Sequence, residues 1–303
     1  MAVEPGPEIT TLATTRGPVR VRDTGGSGPA VLLVHSLLVD PDLYAPLVPL
    51  LTARGWRCVV PELPLGAHAV PLAPGADPSP PGLAALLVAV LDALGLERAH
   101  VVGVDTGGAL TQLLMAHHRD RVDRVVLTAC DAYEAFPPRG LRPLVGPLGS
   151  RTVLAVLAQL LRVPVLARLV VSRPISHRGA SDAQLVRWTA PLRDRAVRED
   201  LRAVVRAVHP RHTLAAAEAN RDFPRPVLVA WGDDDRAFPR RLGDRLVAEL
   251  PDARLETLPD CAAFASLDVP ELLAELVDAH LRADRAAAPA GRGADRVTPL
   301  AGR

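Results

Sequence analysis

The residues best placed to do chemistry in this sequence lie in Gly103-Val104-Asp105-Thr106-Gly107-Gly108. Glycine stands two positions before and two positions after Asp105, the spacing of a nucleophile elbow. In such a turn the central residue takes a strained backbone conformation, and a Cβ at either glycine would strike the strand or the helix that the turn joins. The apolar pair Val101-Val102 reads as a short buried strand leading into it. Leu110, Leu113 and Leu114 share one face of a helix leading out. The central residue is an aspartate rather than a serine. A carboxylate at a helix N-terminus is stabilised as an anion and faces whatever occupies the space above the sheet, so Asp105 can serve as nucleophile or base; the plain alternative is an N-cap.

The elements that must position Asp105 follow from the pattern of apolar runs. Thr10 to Asp23 alternates about Gly17-Pro18 as an antiparallel hairpin, and Ala30 to Val34, apolar on both faces, reads as a central parallel strand ending in His35-Ser36-Leu37. A helix from Leu43 to Ala53, a strand from Trp56 to Val60, a loop from Val70 to Gly82 and a helix from Leu83 to Leu94 precede the elbow. The strand Val122 to Thr128 follows it and closes in Ala129-Cys130-Asp131. Between Tyr133 and Asn220 the periodicity is helical, with many prolines and no strand, which predicts a helical insertion. Strand and helix then alternate again through Pro226 to Ala230, Arg240 to Leu250, Arg254 to Leu258 and Pro270 to Leu281. This order predicts an α/β fold with a mostly parallel central sheet flanked by helices. Its parts are a first core segment over 1–132, a helical cap over 133–222, a second core segment over 223–282 and a disordered tail over 283–303. Ligands of such sheets bind at the carboxyl ends of the strands, where Asp105, His35, Ser36, His68, Asp131, Asp235 and the Cys261 segment should converge.

Composition narrows the function. The chain has 303 residues, 49% of them hydrophobic, and a formal net charge of +1, so a large core is available and neither nucleic acid nor an acidic partner is implied. All 35 basic residues are arginine, which removes Schiff-base chemistry and a P-loop phosphate grip. Cys58, Cys130 and Cys261 are widely spaced in apolar contexts, as expected for buried thiols of a cytoplasmic protein. Met1 to Thr11 has neither the basic start nor the apolar core of a signal peptide. The most apolar stretch, Thr152 to Val171, contains Arg162, Pro164 and Arg168 and does not read as a membrane span. Asp233-Asp234-Asp235 reads as a solvated turn with one residue pointing inward rather than as a metal site. No cofactor is implied. The expected partner is a small-molecule substrate, with no membrane or nucleic acid, and a homodimer is compatible with the sequence.

From Thr10 to Leu281 the chain resembles the α/β-hydrolase fold, in particular its branch with an aspartate nucleophile, to which haloalkane dehalogenases and epoxide hydrolases belong. The resemblance rests on GSGPAVLLVHS, VVPELPLGAH, VGVDTGGA, VDRVVLTACDA and VLVAWGDDDRAFP in that order. LPLGAH with DTGGA and TACDAYEAFPP is similar to a group of bacterial proteins described only as hydrolases. The resemblance implies Asp105 as nucleophile, the backbone N–H groups of Thr106 and Leu37 as oxyanion hole beside His35 and Ser36, and Asp235 or Asp131 as the acid. Two departures stand out. Ala263, in Asp260-Cys261-Ala262-Ala263-Phe264, occupies the place of the family's base histidine, and the family's halide-gripping Trp after the nucleophile is Thr106. Tyr44 and Tyr133 are the sole tyrosines available for the epoxide-polarising pair. Phe136 and Trp188 are candidate lining residues, as are the cap arginines for an anionic substrate. Three readings follow. The first makes Asp105 a general base or electrostatic partner in a non-hydrolytic reaction, such as cyclisation, elimination or carbon–carbon bond formation in biosynthesis. The second restores hydrolysis of an epoxide, ester or C–halogen bond through Asp105 and a substitute base such as His68. The third is a catalytically inactive ligand-binding protein. The first is the preferred expectation, because an imidazole-free site activates water poorly.

Overall fold

In the computed structural model, residues 9–283 are described, apart from 139, 141 and 174. The disordered tail expected from residue 283, apart from Ala283 itself, and most of the N-terminal segment expected to lack signal-peptide features therefore lie outside the described residues. Eight strands form one sheet in the order β1-β2-β4-β3-β5-β6-β7-β8. β1 (Ile9–Thr14) and β2 (Gly17–Asp23) form the antiparallel hairpin, and β2 pairs antiparallel with β4 (Arg57–Pro61). From β4 onward every pairing is parallel, through β3 (Ala30–Val34), β5 (Ala99–Asp105), β6 (Val122–Cys130), β7 (Val227–Gly232) and β8 (Ala253–Leu258). All five residues of β3 and all six of β7 are buried, as a strand covered on both faces requires.

The helices of the first core segment are α1 (Leu47–Thr52), α2 (Pro80–Ala93) and α3 (Thr106–His117). The helix expected from Leu43 to Ala53 is split: a 3₁₀ turn over Pro41–Tyr44 ends before Pro46, and α1 begins after it, because proline supplies no N–H to continue the ladder. The insertion between β6 and β7 holds α4 (Arg142–Val145), α5 (Arg151–Leu160), α6 (Pro164–Ala167) running into a π turn at Arg168–Ser172, α7 (Asp182–Thr189), α8 (Arg195–Ala207) and α9 (Pro210–Ala219). The core closes with α10 (Arg241–Glu249), a short α11 (Ala265–Asp268) and α12 (Pro270–Arg282). α11 was not expected; it follows the loop that contains Ala263.

The turn between β5 and α3 is tightly packed. Asp105 has φ +51, a left-handed value that L-residues avoid. A Cβ on Gly103 would lie 2.3 Å from Thr111 Oγ1, one on Gly107 2.1 Å from the Val34 carbonyl oxygen, and one on Gly108 2.3 Å from Cys130 Cβ. These three glycines let α3 press against β3 and β6, and that closeness aims Asp105 away from the sheet. Gly107→Ala should therefore lower the unfolding free energy by about 2–4 kcal/mol, measured by urea titration, because the obstacle is backbone of a central strand. Gly146→Ala, where the new Cβ meets nothing within 4 Å, should change it by less than about 0.5 kcal/mol.

Candidate active site

Asp105 lies on the floor of a cavity of about 270 Å³ between the sheet edge and the insertion. The core contributes Leu37, Leu38, Asp105, Thr106 and Asp131. The insertion contributes Phe136 and prolines 137, 138, 143 and 147, with Val145, Leu148, Val153, Leu157, Val170, Val171, Ile175, Val205 and Val208. Among the described residues, Asp105, Thr106 and Asp131 carry the only polar side chains in this lining, and no described histidine or arginine is part of it. The site is thus an apolar chamber with two carboxyl groups and one hydroxyl at its base.

Thr106, the first residue of α3, joins the two acids. Its Oγ lies 3.5 Å from Asp105 Oδ1 and 3.3 Å from Asp131 Oδ2, long contacts in which one hydroxyl proton can serve only one acid at a time. Asp131 is positioned at the end of β6 by two backbone contacts: its N–H donates to the Asp105 carbonyl at 3.3 Å, and its carbonyl accepts from Gln112 Nε2 at 2.8 Å. Its Oδ1 is buried without a partner. Burial pushes the Asp105 pKa up to about 6, against the Ser36 hydroxyl and the Thr106 N–H and hydroxyl, which favour the anion. Burial, and then the charge of Asp105, push Asp131 well above the usual carboxylate range, with the Thr106 hydroxyl opposing. Two like charges this close in an apolar chamber do not both ionise near neutrality, so the pair holds one shared proton and titrates as a unit. Ser36 Oγ is near enough to act on Asp105 but makes no hydrogen bond of good geometry, which leaves a buried hydroxyl free to turn toward a bound molecule.

Of the other residues singled out in the sequence, Leu37 and Phe136 line the chamber, whereas His35, His68, Trp188, Asp235 and Ala263 are not among its lining residues. His35 is locked by backbone: Nδ1–H donates to the Ser36 carbonyl at 2.8 Å and Nε2 accepts from Leu63 N–H at 2.8 Å, and burial lowers its pKa to about 4. His68 does not line the cavity. Its Nδ1 accepts from Gly66 N–H at 3.2 Å and its Nε2 lies 3.1 Å from Asp200 Oδ2 on α8, so both ring nitrogens are occupied in fastening the core loop to the insertion. Trp188 is fully buried but donates Nε1–H to Asp40 Oδ1 at 2.8 Å and lines nothing. Asp235 Oδ1 accepts from the N–H groups of Ala237 and Phe238 within its own turn, while Oδ2 is buried without a partner. Burial pushes its pKa up to about 6. Ala263 is fully buried and is not among the lining residues, and its neighbour Phe264 donates N–H to the Ile175 carbonyl at 2.9 Å. Leu37 N–H has no hydrogen-bond partner among the described residues, which leaves it available to a ligand.

Sequence reasoning passed over Asp268. This buried carboxylate accepts from Ser176 Oγ at 2.7 Å, Arg178 N–H at 3.0 Å, His177 N–H at 3.1 Å and Ala262 N–H at 3.0 Å. It stitches the insertion to the loop before Ala263. Its one sequence signal is a lone acid at the end of the apolar run Phe264 to Leu267. Among the described residues, no group of three or more His, Cys, Asp or Glu side chains is arranged to hold a metal ion.

A family profile described as alpha/beta hydrolase fold matches residues 29–270. The chain belongs to the α/β-hydrolase family. Among curated proteins it is similar to haloalkane dehalogenase 2 of Mycobacterium tuberculosis, with 28% identity over 283 residues, 87% of this chain and 91% of that one. It is also similar to the 2-hydroxy-6-oxo-6-phenylhexa-2,4-dienoate hydrolase of Burkholderia cepacia, with 26% identity over 58% of this chain and 60% of that protein. Among solved structures, a haloalkane dehalogenase from Bradyrhizobium elkani superposes with a TM-score of 0.75 at 20% identity, covering 89% of this chain and 96% of its own. A 2-hydroxy-6-oxo-6-phenylhexa-2,4-dienoate hydrolase from a Rhodococcus strain gives 0.74 at 20% identity, covering 91% and 99%. As an α/β hydrolase with a helical insertion over its strand ends, the protein carries its buried acids where the fold binds ligands.

The raised pKa of Asp105 has a consequence for stability. In the unfolded chain the group ionises near 3.8, whereas in the folded chain it holds its proton up to about 6, so folding is progressively penalised as pH rises through that window. Asp105→Asn should therefore melt at a higher temperature than wild type at pH 8 and at an equal one at pH 3, by differential scanning calorimetry.

Proposed function

We propose that this α/β hydrolase cleaves an apolar small molecule at an electrophilic carbon, an alkyl halide or an epoxide, with Asp105 as nucleophile and Asp131 as the group that exchanges protons with leaving group and water. The observation that carries the reading is the pair of buried carboxyls bridged by Thr106 at the base of an otherwise apolar chamber. The similarity over 87% of this chain to a haloalkane dehalogenase supports it, since that name describes removal of halogen from a haloalkane. This is the hydrolytic alternative of the sequence reading with its base reassigned, because the ring nitrogens of His68 are engaged elsewhere.

The pair begins with one proton, on Asp131. Asp105 Oδ attacks the carbon and the bond to halide or epoxide oxygen breaks with its electron pair; an epoxide oxygen takes the Asp131 proton, whereas a halide leaves as the anion and the Asp131 proton passes to water. Water then adds to Asp105 Cγ while the Asp131 carboxylate takes a proton from it. The tetrahedral adduct expels the alkoxide, which leaves as the alcohol with one proton, and the pair again holds one. Leu37 N–H and the Ser36 hydroxyl are free to hold the oxygen that becomes negative in the adduct. A base of this kind contributes about 10²–10⁴-fold.

Asp105→Asn should abolish turnover of a panel of apolar alkyl halides and epoxides. Asp131→Asn should slow the second step about 10²–10⁴-fold and accumulate a protein adduct of the substrate's alkyl mass on the Asp105 peptide. In wild type, kcat/KM should fall as pH drops below about 6, because protonation of Asp105 removes the nucleophile. Asp131→Asn turning over like wild type would overturn the assignment of the base. One observation favours a second reading, in which Asp105 only takes up a proton in a non-hydrolytic rearrangement: no histidine lines the chamber among the described residues. That reading predicts no adduct in any variant while Asp105→Asn remains inactive.

A further inference from the structure

The sequence stretch from Thr152 to Val171, too interrupted by Arg162, Pro164 and Arg168 to span a bilayer, lies on the outside of the insertion. Val156, Leu160, Val163, Val165 and Leu169 are all exposed, Val165 to 63% and Val156 to 53%. They sit on α5, at the N-cap of α6, on α6 itself and on the π turn, so these exposed aliphatic residues belong to one continuous stretch of chain. Monomeric soluble proteins rarely leave so many large aliphatic side chains together in water. Apart from His177, every ionisable residue between Glu134 and Asp182 is an arginine. Arg151 pairs with Glu199 and Arg168 with Asp182, while Arg162 and Arg173 have no acidic partner among the described residues.

We propose that this face docks on an anionic lipid surface and that the chamber opens into it. Aliphatic side chains beside unpaired arginines match the two layers of such a surface, acyl chains below and charged headgroups above. The second observation is continuity with the site: Val153 and Val170 are exposed and also line the chamber above Asp105. An apolar substrate dissolved in the lipid can therefore pass between α5 and the π turn without crossing water. A second copy of this chain fits less well. A two-fold contact through the same face would set arginines against arginines, with no acid from this stretch to answer them. The proposal does not depend on which reaction Asp105 carries out, and it concerns surface docking, whereas no described helix is long and apolar enough to cross a membrane.

The test is co-sedimentation of the full chain with vesicles of phosphatidylcholine alone and of phosphatidylcholine mixed with phosphatidylglycerol. The expected result is binding to the mixed vesicles and not to the neutral ones, weakened by added salt. Combined Val165→Asp and Leu169→Asp substitution, at exposed positions outside the chamber lining, should weaken binding about tenfold or more with an unchanged melting temperature. Absence of binding to the mixed vesicles, or binding that the paired substitution leaves intact, overturns the proposal. So does a concentration-dependent dimer in sedimentation velocity that the same substitutions dissolve, which would make a second copy the occupant.

Discussion

A carboxylate is hard to keep charged where water is scarce, and the site of this protein depends on how that difficulty is met. Asp105 stands on a left-handed residue at the start of α3, inside a chamber lined by aliphatic side chains and prolines. Among the described residues, no arginine or histidine in the lining is there to neutralise it. Help comes from the Thr106 N–H and hydroxyl at the helix start, from Ser36, and from the proton it shares with Asp131. In the proposed role of nucleophile, a carboxylate so poorly solvated is reactive because little solvent must be stripped from it, and an acid partner held protonated by burial needs no imidazole.

Polar groups that might have served catalysis fasten the two parts of the chain instead. His68 joins Asp200, Trp188 joins Asp40, Gln184 Nε2 donates to the Asp42 carbonyl, and Asp268 gathers four donors from the insertion and the core. All but the Ala262–Asp268 bond span large sequence separations, and all are buried or part-buried, so they fix how the insertion sits over the strand ends and hence the shape of the chamber. In the same way His35 holds the strand end beside Ser36 and is kept neutral by burial.

Much of this was legible before the coordinates. Glycines at fixed offsets from Asp105 announced the elbow, because only a residue without a Cβ fits where α3 meets the Val34 carbonyl and Cys130. Uninterrupted apolar runs announced buried parallel strands, and loss of the strand rhythm after Tyr133 announced the insertion. What stayed hidden depends on where side chains point after long-range packing. Thr106 was read for its backbone N–H, and nothing local says that its hydroxyl meets an acid 25 residues away. Trp188 and His68 look like site residues by type and position, and only the three-dimensional partners Asp40 and Asp200 show them spent elsewhere. Asp235 keeps an orphaned Oδ2 and Ala263 a buried methyl where the family pattern pairs acid with imidazole.

The most direct measurement is single-turnover reaction in ¹⁸O-enriched water with excess enzyme, followed by mass analysis of the peptide that contains Asp105. Attack of water on an ester of Asp105 leaves one heavy oxygen in that carboxyl group and a product carrying ordinary oxygen at the new bond. If the heavy isotope is found in the product after the first turnover and the Asp105 peptide stays light, the carboxylate is not the nucleophile and the account fails.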